Sequence, residues 1–186
     1  MKAVLRQAPN ILSGLRLVAA PIAGWLIYHG VDWAALCVFG FAGLSDAADG
    51  YLAKTFGLSS RFGAWLDPAA DKLLMLVSFV TLTVVGAVPL WLSVLVIGRD
   101  AAIVVGVAFA KALGAPLVVK PLIVGKASTV IQVLYVAMML LLLALNVYEP
   151  MLEMAGDMAV AAITLASFLA YAYVWLMAVA VRSRAA

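Results

Sequence analysis

Asp46, Asp49, Asp67 and Asp71 fall within SDAADGYLAKTFGLSSRFGAWLDPAADK, the stretch from Ser45 to Lys72, and make up four of the nine acidic residues in a chain of 186. Asp46 and Asp49 are three apart and Asp67 and Asp71 four apart, so on helices each pair shares a face. Four carboxylates brought to one place repel strongly unless protonated or neutralised, and two divalent cations supply the matching charge. Oxygen-only ligands favour Mg²⁺, Mn²⁺ or Ca²⁺ over zinc, which prefers His and Cys. A two-metal site suits phosphoryl chemistry, where one ion grips the phosphate and the other helps place the attacking oxygen. Gly50, Ala53 and Gly63 leave backbone open to close approach by something bulky. Lys54, Arg61 and Lys72 put positive charge around the same place, as a diphosphate would require. The competing interpretation is a solvated loop whose aspartates serve as caps and surface ion pairs, but caps do not need four acids on two facing helices.

The elements that must position these residues are apolar. The chain is 67% hydrophobic and only 11% charged, with a mean hydropathy of +1.16, far from the roughly one-quarter charged composition of soluble domains. It reads as a single integral membrane domain over residues 1–186, all-α, with a short N-terminal juxtamembrane lead-in over residues 1–10. Six spans are predicted at about Ile11–Tyr28, Trp33–Leu52, Pro68–Val85, Leu90–Ala110, Pro121–Leu145 and Met158–Val181. The connections Tyr28–Trp33, Gly86–Pro89 and Asn146–Asp157 contain no Lys or Arg, whereas Lys2, Arg6, Lys54, Arg61, Lys111, Lys120, Lys126, Arg182 and Arg184 occupy the other side. Basic bias in short loops predicts both termini in the cytoplasm or an organelle matrix, as an even number of spans also requires. Both aspartate pairs are then expected at one depth, just below the cytoplasmic interface, in a cytoplasm-facing cavity.

The net charge of +3 is spread over several loops. It fits attraction to anionic headgroups rather than nucleic-acid binding, for which no soluble domain presents a groove. The single cysteine, Cys37, can form no internal disulfide and no zinc cluster. His29 falls in an outer loop and is expected to be without partners or chemistry. Tyr171, Tyr173 and Trp175 read as interfacial packing, and the methionines as adaptable filler. The absence of an Arg- and Ser-rich leader favours a bacterial inner membrane over an organelle.

The pattern Asp46-x2-Asp49-Gly50-x2-Ala53-Lys54-x8-Gly63-x3-Asp67-x3-Asp71 resembles the signature of the CDP-alcohol phosphotransferase family. The one departure is Lys54, where the family usually has Arg; lysine keeps the charge but loses the bidentate fork. The resemblance implies six transmembrane helices, a homodimer, two divalent cations (Mg²⁺ or Mn²⁺), and transfer of a phosphatidyl group from CDP-diacylglycerol to an alcohol with release of CMP. It implies further that Asp46, Asp49 and Asp67 bind metal and that Asp71 joins the second ion and deprotonates the acceptor hydroxyl. Contacts to the CDP-lipid are implied for Pro9, Asn10, Ile11, Leu12, Gly50, Ala53, Lys54, Ser60 and Gly63.

The acceptor has to be read from other segments. PNILSGLRLVAAPIAGWLI, FAGLSDAADGYLAK, VPLWLSVLVIGRDAAIVVG and KPLIVGKASTVIQVLYVA resemble cardiolipin synthases of the eukaryotic type, which implies phosphatidylglycerol as acceptor. Phosphatidylglycerophosphate synthases, which use glycerol-3-phosphate, share the Pro-Asn start and the element Gly125, Lys126, Thr129 and Gln132, but typically carry Arg-Glu at Arg99-Asp100. Arg99 is placed roughly 14 Å into its span at 1.5 Å per residue. It reads either as half of a buried ion pair tying helices together or as a clamp for the acceptor's phosphate, intramembrane charges being usually functional. Arg16, Arg61, Lys126 and Gln132 are further acceptor-binding candidates, with Lys126, Thr129 and Gln132 expected along one side of the fifth span. A divalent-cation transporter is a remote alternative, disfavoured because the acids sit near one face and no repeats frame a midplane site.

Overall fold

The structure is a computed structural model that describes the backbone of residues 2–56, 63–112 and 122–183 and the side chains of residues 14–45, 69–109 and 122–177. Among these residues it is all-helical: α1 (Lys2–Tyr28), α2 (Asp32–Phe56), α3 (Gly63–Val84), α4 (Leu90–Ala112), α5 (Ile123–Leu145) and α6 (Pro150–Ser183). The order is the expected one, but several helices outrun their apolar runs. α1 takes in the lead-in from Lys2, and α6 begins at Pro150 instead of Met158. Pro150 suits a first helical position, where its fixed φ is preorganised and its missing N–H has no partner to lose.

The ends of α1, α3 and α5 share one device. In α1, Gly30 donates to the Ile27 carbonyl at 3.1 Å and Val31 to Leu26 at 2.9 Å, with Gly30 at φ 69°. Gly86 (φ 81°) and Asn146 (φ 52°) occupy the same left-handed position after α3 and α5, with the same paired bonds. This double closure satisfies carbonyls that a helix end otherwise leaves bare, and only Gly or a short polar residue adopts that φ cheaply. His29 is not partnerless as expected. It lies in this turn, its Nδ1 donates to the Trp25 carbonyl at 2.9 Å, and its ring stacks 4.4 Å from that of Trp25. Four residues of helix bring those groups together.

The chain divides into two compact units, Met1–Val88 with Val136–Glu149 and Pro89–Tyr135 with Pro150–Ala186. In the first, α1 packs against both α2 and α3. Ala20 and Ala23 are fully buried, and a Cβ on Gly24 would lie 2.4 Å from Val77 Cγ1 and 3.2 Å from Thr81 Oγ1. Small residues thus let the α1 and α3 backbones approach closely, as helices do when there is little water to expel. In the second unit α4 packs on α6, and Gly106 lies so close to the Trp175 ring that a Cβ would sit 2.4 Å from it.

The interior is apolar but also holds several polar side chains, and large apolar side chains face outward. Arg16, Ser78, Arg99, Ser128, Gln132, Thr164 and Ser167 are buried, while Val94, Val105, Phe109, Leu134, Leu169 and Leu176 are exposed. Large outward apolar faces belong in hydrocarbon. Among the described residues three helical stretches are long and apolar enough to cross a membrane: Leu90–Phe109, Ile123–Leu145 and Pro150–Met177. Gly14–Tyr28 and Asp32–Ser45 are shorter apolar stretches of α1 and α2, and α3 carries Asp67, Asp71 and Lys72 in its first half.

The α1–α3 crossing gives a direct test. Gly24→Ala pushes a methyl into a β-branched side chain with little rotamer freedom, so thermal unfolding in detergent should show a loss of about 1–3 kcal/mol. Gly40→Ala, where nothing lies within 4 Å of the added carbon, should be neutral or slightly stabilising. Equal melting of the two variants would contradict the close crossing.

Candidate active site

All four aspartates lie on helices, Asp46 and Asp49 one turn apart in α2 and Asp67 and Asp71 one turn apart in α3. Both helices pack on α1, so the elements carrying the two pairs share a neighbour. The side chains of Asp46, Asp49 and Asp67 lie outside the described residues, as do those of Pro9, Asn10, Ile11, Leu12, Ala53 and Lys54. Gly50 and Gly63 are placed only as helix backbone, and Ser60 and Arg61 fall wholly outside. Among the described residues no three His, Cys, Asp or Glu side chains gather as metal ligands, and Asp71 is the member of the set whose side chain can be followed.

Arg16 on α1 donates from Nη1 to Asp71 Oδ1 on α3. The arginine is 1% exposed and the aspartate 42%. A guanidinium stays protonated even when buried, so in the interior it needs a carboxylate at hand. The pair therefore does two things: it ties α1 to α3, and it fixes one oxygen of the carboxylate expected to act as base. Arg16, an acceptor-contact candidate in the sequence, is brought to Asp71. Lys72, next along α3, is exposed.

A second polar group lies in the other unit. Arg99 on α4 is 8% exposed. Its Nη1 donates to Asp100 Oδ1 at 2.7 Å, its Nη2 donates to Ser167 Oγ on α6, and its Cζ lies 5.8 Å from the centre of the Tyr171 ring. The anticipated ion pair exists, but it joins neighbours on one helix. The link between helices is the bond to Ser167. Gln132 is buried and donates from Nε2 to Ser128 Oγ at 3.2 Å and to Thr164 Oγ1 at 3.1 Å, joining α5 to α6. Lys126 and Thr129 are exposed, so the element does not lie along one side of α5. At 3.6 residues per turn each three-residue step rotates the direction by about 60°, and the second step has carried Gln132 inward.

Tyr171 and Ser167 were missed. Tyr171 is 9% exposed; its hydroxyl accepts the Leu122 N–H at 3.4 Å. It lies so near Gly125 that a Cβ there would meet the hydroxyl at 2.9 Å. It is not interfacial packing, although Tyr173 is exposed as such packing would be. The available signal was the spacing of Thr164, Ser167 and Tyr171, a polar stripe down one face of an otherwise apolar helix.

Described residues that are all-helical, with lipid-suited outer faces and charged side chains held inside, have the architecture of a membrane protein. Its class follows from comparison. The CDP-alcohol phosphatidyltransferase family model matches residues 6–183, and the chain belongs to that family. The protein named "Cardiolipin synthase (CMP-forming) / mitochondrial hydrolase fusion protein" of Schizosaccharomyces pombe is 37% identical over 166 residues, covering 81% of this chain and 27% of that protein. The cardiolipin synthase (CMP-forming) of Homo sapiens is 32% identical over 145 residues, 69% of this chain and 48% of its own length. A CDP-diacylglycerol–glycerol-3-phosphate 3-phosphatidyltransferase of Cereibacter sphaeroides is 43% identical over 88 residues, 45% of this chain and 40% of that protein. The chain spans from about a quarter to about half the length of these curated relatives.

The Arg16–Asp71 pair is asymmetric in exposure, which sets the order of two substitutions. Asp71→Asn takes a counter-charge from a guanidinium that water does not reach, whereas Arg16→Gln leaves a carboxylate already partly hydrated. Asp71→Asn should therefore lower the melting temperature by several degrees more than Arg16→Gln does. The reverse order would show that the aspartate is the partner that depends on the contact.

Proposed function

We propose that the chain transfers the phosphatidyl group of CDP-diacylglycerol to phosphatidylglycerol, forming cardiolipin and CMP. The observation that carries this reading is the aspartate signature borne by α2 and α3, with Asp71 held in place by a buried arginine. Family membership supplies the class of reaction. The resemblance of long segments to cardiolipin synthases, together with the relatives bearing that name, favours a lipid acceptor. Glycerol-3-phosphate is the second candidate, favoured by the Cereibacter sphaeroides relative.

The donor set fits divalent cations. All four groups are carboxylates, and Asp71 is partly exposed, so a cation can reach it. Asp46, Asp49, Asp67 and Asp71 would hold two such ions, Mg²⁺ or Mn²⁺, whose contribution is to neutralise charge on the diphosphate and the leaving nucleotide. The chain's own residues do the rest. Lys54, with Gly50, Ala53, Ser60, Gly63 and the segment Pro9–Leu12, would bind the CDP moiety. Asp71 accepts the proton of the acceptor hydroxyl. The freed oxygen forms a bond to the lipid-linked phosphorus as the phosphorus–oxygen bond to CMP breaks, and the proton passes on to solvent. Catalysis is then mainly positioning and charge compensation, with a modest contribution from the base. Arg16, held against Asp71, serves the orientation of that base, while Arg99 is the favoured contact for the acceptor's anionic group, with Arg16, Lys126, Arg61 and Gln132 as weaker candidates. Six spans, cytoplasmic termini and a homodimer complete the proposal, supported by the basic loops and by the family resemblance.

The purified full-length chain in detergent micelles should release CMP from CDP-diacylglycerol only when acceptor and divalent cation are both present, and chelation with EDTA should stop it. Phosphatidylglycerol and glycerol-3-phosphate assayed side by side decide the acceptor: turnover with glycerol-3-phosphate alone would overturn the first choice. Asp71→Asn should lower kcat by at least about a hundredfold, the scale of general-base loss, while CDP-diacylglycerol binding stays within a few-fold. Equal loss of both would make Asp71 chiefly a ligand.

A further inference from the structure

The Arg99 guanidinium is built into its place more firmly than an ion pair requires. Its Nη1 and Nη2 are bonded to Asp100 and Ser167, but Nε is buried with no hydrogen-bond partner among the described residues. A buried N–H of a charged group left in that state is costly, and phosphate oxygens are its natural complement. Across the guanidinium lies the Tyr171 ring, at the outer range of a cation–π contact. Tyr171 is itself confined. Its hydroxyl takes the amide of Leu122 at the start of α5, the Trp175 ring stands 6.4 Å away, and Gly125 leaves no room for a side chain. A Cβ at Gly125 would meet Tyr171 Oη at 2.9 Å, Tyr171 Cε2 at 3.1 Å and Arg99 Nη2 at 3.4 Å. Helices α4, α5 and α6 thus converge on one charged group through an aromatic strut and a glycine.

We propose that Tyr171 is a positioning residue that orients Arg99 toward an anionic acceptor headgroup, and that Gly125 is a glycine to admit that strut. The inference rests on the reading of Arg99 as the acceptor contact and assigns the residues that make the contact selective. A ring face restrains the guanidinium laterally without consuming its N–H groups and adds no negative charge beyond that of Asp100. The ring matters more than the hydroxyl.

The full-length protein in mixed micelles distinguishes this from simple packing, with KM measured separately for phosphatidylglycerol and CDP-diacylglycerol, and thermal stability measured alongside. Tyr171→Phe keeps the ring, and its KM for phosphatidylglycerol should stay within about twofold of wild type. Tyr171→Leu should raise that KM roughly tenfold, the scale of losing a desolvated cation–π contact, with KM for CDP-diacylglycerol unchanged. Gly125→Ala should show the same acceptor-only defect. Combining it with Tyr171→Phe, which removes the nearest clashing atom, should recover part of the loss. Should Tyr171→Leu fold poorly, Gly125→Ala and its double variant carry the test alone. Defects in both KM values that track melting temperature would reduce Tyr171 to packing and overturn the proposal. Arg99→Gln separates the two levels. If it leaves the acceptor KM unchanged, the acceptor-contact reading and the inference fall together. If it raises that KM while Tyr171→Leu and Gly125→Ala do not, only the positioning role falls. No CMP release by the wild-type chain with either acceptor would remove the transferase reading and the inference with it.

Discussion

A guanidinium surrounded by helices whose outer faces are hydrocarbon cannot be neutral and cannot reach bulk water. Arg16 and Arg99 are both in this position, at 1% and 8% exposure, and the arrangement around each follows from that constraint. Arg16 is answered by a carboxylate one helix away; Arg99 by its neighbour Asp100, a serine hydroxyl and an aromatic face. Since a buried ion pair contributes little net stability over an apolar pair of the same shape, such costly side chains point to a task.

Small residues make these arrangements possible. Gly24 lets α3 close on α1 in the unit that holds Arg16 and Asp71, and Gly106 and Gly125 let Trp175 and Tyr171 press against α4 and α5. Helices in lipid gain little from burying apolar area against each other, so close backbone approach and interior hydrogen bonds have to carry more of the association. Ser128, Gln132, Thr164 and Ser167 supply hydrogen-bonding atoms in that interior, and Gln132 bridges two hydroxyls on different helices. The same close approach that stabilises the helices therefore aims the charged groups.

Much of the fold could be read from the chain before any coordinates. Six apolar runs separated by turn residues became six helices, because hydrophobic length and breakers are local properties. The boundaries moved where local signals compete: α6 gained eight residues from Pro150 because the polar loop residues Glu153 and Asp157 sit comfortably in its first turns. The aspartate spacing was also legible, since three- and four-residue separations on a helix have one geometric meaning. Spacing was a poorer guide at Lys126, Thr129 and Gln132, where the mismatch between three residues and the helical repeat accumulated until one of them faced inward.

By itself the sequence determined the helical membrane architecture, the family and the identity of the acidic ligand candidates, all of which depend on composition and short-range periodicity. It could not determine that Arg16 meets Asp71 across 55 residues, or that Arg99 meets Ser167 across 68. Those encounters depend on which helix faces pack and how closely, and that depends in turn on glycines and rings whose meaning appears only when a neighbour presses against them. Tyr171 shows the difference: as a letter near the end of an apolar run it reads as interface, and its role arises from the guanidinium that another helix brings beneath it.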